Sequence, residues 1–235
     1  MNHAVWSATP LVTFPTGRGE PFDSAQDRLL EGHPIFLALA DTIQRCHLPV
    51  QLLDDLLTAF TMDVTKKRYS DWEDLLTYCR YSANPVGRLV LTIFGYRDPA
   101  LHQLSDNICT GLQLANHWQD LRIDLSRDVL YIPQSLLRQF RVSETEIRQP
   151  KAQGLTDGFR ILMEELVKRA DALFDAGEPL LRKVRGRLRL ELKLTVLGGR
   201  AILDQIERSR FDVFHHRPVL STGAKLRLLT HALLS

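Results

Sequence analysis

The chain has 235 residues, of which 44% are hydrophobic and 25% charged, a composition that is ordinary for one globular domain with a sizeable core. Its net charge of +2 is too close to neutrality to indicate nucleic acid as the main partner. Three widely separated cysteines, Cys46, Cys79 and Cys109, form no metal-ligand pattern and are typical of reduced core thiols in a cytoplasmic protein. We find neither a signal-peptide pattern nor an apolar run of about 20 residues, so we expect no leader and no membrane span.

Residues 1–32 differ from the rest, because prolines and glycines punctuate them and no hydrophobic period is sustained. We interpret them as an irregular N-terminal arm, followed by one helical domain over 33–235. From residue 34 onward apolar residues recur every three to four positions, which predicts helices over about 34–48 and 50–67. In the second of these helices we expect a set of apolar residues to face inward: Leu52, Leu53, Leu56, Leu57 and Phe60.

An interrupted apolar helix is predicted between residues 70 and 95. Ser70 followed by Glu73 is a capping box, which predicts where this helix begins. Asn84-Pro85 interrupts it, because a proline inside a helix removes a backbone hydrogen bond and costs about 3 kcal/mol. Breaks of this kind occur both at functional sites and at simple packing kinks, and the sequence leaves both alternatives open.

A long helix is predicted from Pro99 to near Asp128, and it carries the main chemical pattern of the chain. Asn116, Asp120 and Asp124 are spaced by four residues, so they lie on one stripe of a helix. Hard cations such as Mg²⁺ take oxygen ligands and typically bridge one or two carboxylates to a phosphate. Solvated helix faces show the same spacing. The apolar residues around the stripe favour the metal site, because a buried carboxylate needs a partner.

The remaining segments are also predicted to be helical, over 133–140, 143–149, about 155–174 and 224–234. The stretch 184–196 alternates leucine with charged residues, as a strand does, but it also fits a helix over 187–208. We choose the helix, because a lone strand would have no pairing partner. Seven basic residues fall between Arg182 and Arg200. They suit either a solvated helix face or a contact with anionic lipid headgroups.

Residues from about 33 to 220 resemble the squalene/phytoene synthase family, and most of all its hopanoid-pathway branch, the hydroxysqualene synthases. The resemblance is carried by RYSDWEDLLTYCRYSANPVGRLVL (68–91), QLANHWQDLRIDL (113–125) with LYIP (130–133), and LGGRAILDQIE (197–207) leading to Arg217-Pro218. It implies an all-α, class I isoprenoid (terpenoid) synthase helical bundle around a central cavity. The family's first aspartate-rich motif has no counterpart in residues 1–32, so we expect a bundle that is incomplete at its N-terminal end.

The resemblance also implies roles for individual side chains. Asn116, Asp120 and Asp124 match the family's second aspartate-rich motif, which holds Mg²⁺ against the substrate diphosphate. Tyr81 matches a tyrosine near the reacting carbons and is the expected catalytic residue. Substrate-binding residues are expected at Gln113, Tyr78, Asn84, Arg88, Arg127 and Tyr131.

Two positions depart from the family pattern. Gln119 stands where the family often has a diphosphate-binding arginine, a replacement that is usual in the hydroxysqualene branch. Asp128-Val129 replaces a glycine–arginine pair before the tyrosine, and we expect Arg127 to substitute for the missing arginine.

The implied activity is Mg²⁺-assisted ionisation of presqualene diphosphate, followed by water capture to give hydroxysqualene in squalene and hopanoid biosynthesis. Two alternatives remain open: a catalytically inactive homologue that serves as a binding or assembly partner, and a phytoene- or squalene-type prenyl transferase. The expected substrate is therefore a prenyl diphosphate, either presqualene or farnesyl diphosphate. The sequence also leaves open a homodimer, a pairing with a related synthase, and peripheral contact of a cytoplasmic protein with the inner membrane face.

Overall fold

The computed structural model describes residues 33–148, 155–215 and 217–234. These residues form helices joined by loops, and their single β-type pairing is an isolated backbone bridge between Arg68 and Leu130. The all-α class predicted from the sequence is thus confirmed. The predicted N-terminal arm over 1–32 lies outside the described residues. The chain divides into two compact units with the boundary between Gln51 and Leu52.

The described part of the first unit contains helix α1, Pro34–Cys46. His33 caps its start, because the imidazole accepts a hydrogen bond from the backbone N–H of Ile35 at 3.3 Å. The helix ends at His47, whose φ of 48° lies in the left-handed region that terminates helices.

The second unit holds the rest of the described residues. Its helices are α2 (Gln51–Thr65, beginning at the unit boundary), α3 (Trp72–Ser82), α4 (Asn84–Ile93), α5 (Pro99–Gln119), α6 (Leu121–Ser126), α7 (Gln134–Gln139), α8 (Glu144–Arg148), α9 (Asp157–Gly177), α10 (Leu180–Lys183), α11 (Gly186–Arg208) and α12 (Thr222–Leu234). Helix α11 confirms the choice of helix over strand for residues 187–208. None of the described helices combines the length and the apolar character that crossing a bilayer requires.

Helix α5 is the central helix of the second unit. It packs most extensively against α9 and also against α4 and α11, and Leu114 and Trp118 on it are fully buried. Helices α4 and α5 approach closely at Gly87, where an added Cβ would collide with Ser105 and with Cys109 Sγ. The central position predicted for this helix is therefore confirmed, although Asn116 on it is exposed.

The predicted interruption before residue 85 is present. Helix α3 ends at Ser82 and α4 begins at Asn84, which places Pro85 in the first turn of α4. A proline is well tolerated there, since the first turn of a helix has no internal acceptor for its N–H groups. The cap at the start of α3 lies one residue later than predicted: the Asp71 carboxylate accepts the N–H of Asp74, so the Ser70–Glu73 capping box was wrong.

Candidate functional site

The predicted long helix is divided at Asp120. This residue adopts φ −100° and ψ 10° and separates α5 from the short helix α6, so one continuous helix to near Asp128 was wrong. The spacing nevertheless survives the break. The Asp120 N–H donates to the Asn116 carbonyl at 2.9 Å, and the Asp124 N–H donates to the Asp120 carbonyl at 2.9 Å. The three side chains thus remain one turn apart, and Asn116 is exposed while the two aspartates are half-buried.

A loop between α11 and α12 is fastened onto this break. The Arg217 guanidinium forms an ion pair with the Asp120 carboxylate, with Nη2 3.2 Å from Oδ2. The buried amide of Gln119 donates to the Pro218 carbonyl, and Arg122 Nη1 donates to the carbonyl of Phe214 at 2.7 Å. The loop therefore brings a positive charge to the middle of the acidic stripe.

The carboxylate of Asp120 influences that of Asp124. Burial raises the pKa of Asp124 to about 6, and the nearby charge of Asp120 adds to the effect, while Arg127 opposes it. A half-buried carboxyl group beside a second carboxylate is a place where a bound cation relieves repulsion. Such a cation would also lower the pKa of Asp124.

The donor set of the stripe fits Mg²⁺ in its chemistry. Within the described residues no three or more His, Cys, Asp or Glu side chains cluster closely enough to hold a metal ion, so the candidate ligands are two carboxylates and one amide. Hard cations accept both kinds of oxygen, and Mg²⁺ usually keeps several waters or substrate oxygens in its remaining positions. Asn116, Asp120 and Asp124 are therefore the residues that could hold it.

An aromatic cluster lies beside the stripe. Its core is the stack of His117 on Tyr131, with ring centroids 3.5 Å apart and planes 14° apart. Tyr78 packs against both rings at 6.0 and 5.6 Å, and Tyr69 packs against the two tyrosines at 5.5 Å. The Gln113 amide lies 3.3 Å from His117 Nε2. The structure thus brings three of the predicted substrate-binding residues, Gln113, Tyr78 and Tyr131, into one cluster.

The cluster is electrically neutral at physiological pH. Complete burial lowers the pKa of His117 to about 3, so its imidazole is uncharged. Burial raises the pKa values of Tyr69, Tyr78 and Tyr131, so their phenols stay protonated. These rings therefore carry no positive charge of their own, and the Lys66 ammonium lies 4.8 Å from the centre of the Tyr69 ring.

One carboxylate outside the predicted set also touches the cluster. The Tyr78 hydroxyl donates a hydrogen bond of 2.7 Å to Asp63 Oδ1 at the end of α2. Both Asp63 and Asp124 act electrostatically on Tyr131. Helices α2 and α6 therefore bring acidic groups to the same tyrosines.

The remaining predicted residues on α3 and α4 are Asn84, Tyr81 and Arg88. Asn84 lies near the site, because its Oδ1 accepts a hydrogen bond of 2.9 Å from Thr110, one turn before Gln113 on α5. Tyr81 is half-buried and stacks under the Arg80 guanidinium at 5.3 Å. By contrast, Arg88 forms a two-pronged ion pair with Asp106, which ties α4 to α5.

The turn that follows α6 explains one departure from the family pattern. Asp128 has a φ of 60°, a conformation that glycine adopts freely and that aspartate tolerates better than most residues. Its carboxylate is held between Arg68 and Arg148. Arg127, expected to replace the family's arginine, is exposed, and its charge opposes the raised pKa of Asp124.

Sequence reasoning did not single out three residues of this region, namely Asp63, His117 and Tyr69. The position of His117 four residues after Gln113 was an available signal, because it places both on one face of α5. No local pattern indicates Asp63, since its partner Tyr78 lies on a different helix.

Comparisons with known proteins point to one family. The family described as squalene/phytoene synthase matches residues 16–224. A hydroxysqualene synthase of Sinorhizobium fredii is 36% identical over 197 residues, which cover 82% of this chain and 64% of that protein. A hydroxysqualene synthase of Rhodopseudomonas palustris is 37% identical over 155 residues, which cover 66% of this chain and 51% of that protein. The chain thus spans about half to two thirds of the length of these relatives.

A solved structure extends the likeness to the fold. The squalene synthase HpnC from Alicyclobacillus acidocaldarius superimposes with a TM-score of 0.73 at 40% sequence identity. The superposition covers 88% of this chain and 80% of that one. The helical arrangement and the sequence therefore point to the same family.

Proposed function

This chain belongs to the squalene/phytoene synthase family, and from that premise we propose that it is an isoprenoid synthase of the hydroxysqualene type. The proposed substrate is presqualene diphosphate. Its diphosphate leaves, the carbon skeleton rearranges, and water captures the cation to give hydroxysqualene. The two hydroxysqualene synthases described above support this branch over a phytoene-type transferase.

The observation that carries the proposal is the acidic stripe at the α5–α6 break. Asn116, Asp120 and Asp124 keep helical register through the break, and burial, together with the charge of Asp120, raises the pKa of Asp124. Bound there, Mg²⁺ would supply Lewis-acid stabilisation of the departing diphosphate. Arg217 places a guanidinium at the same point, and guanidinium groups suit phosphate oxygens.

The aromatic cluster supports the second half of the reaction. A carbocation is stabilised by the faces of aromatic rings and destabilised by neighbouring positive charge. Tyr78 and Tyr131 supply aromatic rings beside the stripe, of which Tyr78 is buried and Tyr131 is half-buried, and His117 remains neutral because burial lowers its pKa to about 3. The neutral rings of Tyr78, Tyr131 and His117 beside the stripe suit a cationic intermediate.

Incubation of the purified chain with presqualene diphosphate and Mg²⁺ tests this function. We expect hydroxysqualene and inorganic diphosphate, and we expect Asp120→Asn and Asp124→Asn each to reduce turnover at least about a hundredfold, the range for loss of groups that stabilise developing charge. Arg138→Gln, a change on an exposed residue of α7, serves as the control. Absence of hydroxysqualene at enzyme concentrations where a full-length relative turns over would reject the proposal.

A second candidate function, an assembly partner, is favoured by the outer face of α2. Leu57, Phe60 and Val64 are 37%, 60% and 77% exposed and lie on one stripe of this helix. Leu57 and Phe60 were expected to face inward, and the structure corrects this. A contiguous apolar stripe on a helix is typical of a surface that another chain covers, either a second copy or a related synthase. Sedimentation velocity, alone and with a related synthase, tests this candidate.

A further inference from the structure

Positive charge is concentrated in the C-terminal part of the chain. Residues 180–234 contain twelve lysines and arginines and four aspartates and glutamates, a net charge of +8. Because the whole chain carries +2, the remaining residues carry −6. Charge segregated in this way creates a field over one region that the overall net charge conceals.

Part of this charge lines two grooves along α11. One groove of about 390 Å³ is lined by Arg189 and Lys193 on α11 together with Leu233 and Leu234 at the end of α12. A neighbouring groove of about 350 Å³ adds Arg182 to the same two basic residues. Arg200 also lines it, but Asp171, Asp175 and Glu178 already neutralise that guanidinium. Basic and apolar side chains therefore share one surface.

Helix α12 is apolar on two sides. Ala224, Leu228 and Ala232 face α11, and Ala232 is buried. On another side Leu226, Leu229 and Leu233 are spaced by three and four residues and are 61%, 39% and 62% exposed. Leu234 beside them is 88% exposed. Packing within the described residues accounts for the first side of the helix and leaves the second facing outward.

We propose that this surface, which we call the α11–α12 surface (Arg182, Arg189, Lys193, Leu226, Leu229, Leu233 and Leu234), docks on an anionic lipid bilayer. The leucines enter the boundary between headgroups and acyl chains, and the basic side chains meet the lipid phosphates. Exposed leucines flanked by lysine and arginine are the features of helices that lie on such interfaces.

Charge argues against a second copy as the occupant. In a two-fold symmetric dimer the same surface of each chain meets itself, so the basic residues of one copy would approach the equivalent basic surface of the other. Like charges brought together across an interface disfavour that pairing. An anionic bilayer, in contrast, attracts each of these residues.

The proposed function supplies a reason for such docking, and the inference rests on it only for the nature of the product. Hydroxysqualene is a long hydrocarbon with one hydroxyl group, and each buried methylene favours an apolar environment by about 0.8 kcal/mol. A product of this kind must pass into a membrane. A synthase held on the bilayer shortens that transfer.

Co-sedimentation with vesicles of phosphatidylcholine, with or without phosphatidylglycerol, tests the docking in the absence of substrate. We expect binding to the phosphatidylglycerol vesicles, weakened by high salt. The double variant Arg182→Gln/Arg189→Gln should bind more weakly, by about fivefold per charge. Leu226→Ser/Leu233→Ser should also bind more weakly.

The matched controls change exposed residues elsewhere: Arg138→Gln/Arg141→Gln for charge and Ile161→Ser for apolar exposure. Circular dichroism verifies that every variant is folded. Two results would overturn the proposal: equal binding to both vesicle types, or the same loss in controls and surface variants. Self-association that the leucine variant abolishes, without vesicle binding, would assign the surface to a protein partner instead. Because binding is measured without turnover, an inactive chain that binds vesicles would reject only the proposed function.

Discussion

The guanidinium of Arg217 holds the carboxylate of Asp120 at the point where α5 gives way to α6. The two residues are 97 positions apart in the sequence, and both carboxylate oxygens take part in the pairing. Those oxygens are also the ones that a metal ion would need. Arginine and cation are therefore competitors for one carboxylate.

This competition predicts that Arg217→Gln raises the affinity of the chain for Mg²⁺. Removing the competing charge frees Asp120, and because partly exposed ion pairs contribute about 0–1 kcal/mol, the gain should be at most about fivefold. Isothermal titration calorimetry of the chain without substrate measures it. Arg208→Gln, which removes a surface arginine near Asp204, should leave the affinity unchanged. A weaker affinity in Arg217→Gln would mean that Arg217 organises the stripe instead of competing for it.

The raised pKa of Asp124 predicts a pH-dependent loss of stability in the metal-free chain. Between its unfolded value of 3.8 and its folded value of about 6, the folded chain binds more protons than the unfolded chain. The free energy of unfolding therefore falls as pH rises through this window and levels off above it. Thermal unfolding in a chelator from about pH 4 to about pH 7 should show wild type losing stability relative to Asp124→Asn. A constant difference between the two proteins would contradict the raised pKa.

The close approach of α4 and α5 predicts that Gly87→Ala is destabilising. The added Cβ would collide with Ser105 and Cys109, and overpacking of this kind typically costs about 1–3 kcal/mol. Gly198→Ala on α11 is the matched control, because nothing lies within 4 Å of its Cβ position. Alanine is the better helix former, so the control should gain up to about 1 kcal/mol. Urea unfolding of both variants measures the two changes, and equal effects would refute the packing argument.

The left-handed backbone of Asp128 predicts that Asp128→Gly is more stable than Asp128→Ala. Both changes remove the carboxylate that Arg68 and Arg148 share, so their difference isolates the backbone. Alanine in the left-handed region is strained by about 1–2 kcal/mol relative to glycine. Chemical denaturation of the two variants gives the difference directly, and a more stable alanine variant would contradict the assigned conformation.

The sequence predicts those features that depend on neighbouring residues. Four-residue spacing placed Asn116, Asp120 and Asp124 on one stripe, and the local chain is sufficient for that prediction because it concerns residues one helical turn apart. The period at 184–196 fitted both a strand and a helix, and the helix α11 was chosen because a lone strand would have had no pairing partner. The break at Asp120 was missed because nothing in its immediate neighbours disfavours a helix.

Contacts between distant segments were beyond the reach of sequence patterns. Arg88 pairs with Asp106 on the facing helix, and no sequence pattern indicated that partner. Arg217 was noticed only as part of a motif, and its partner was not predicted. In each case the partner lies on a segment that is distant in the sequence or on another helix, and tertiary packing brings the two together. A pattern of residue types identifies such a group without identifying its partner.

The three contacts that fasten the α11–α12 loop differ in what they hold. Gln119 and Arg122 donate hydrogen bonds to backbone carbonyl groups of the loop. Arg217, which belongs to the loop, contacts Asp120 only through its side chain. The guanidinium can therefore swing away while the loop itself stays in place. Rotations of partly exposed side chains take picoseconds to nanoseconds, whereas collective movements of segments take microseconds or longer. Exchange of arginine for an incoming ion at Asp120 should accordingly be faster than any step that requires the loop itself to move.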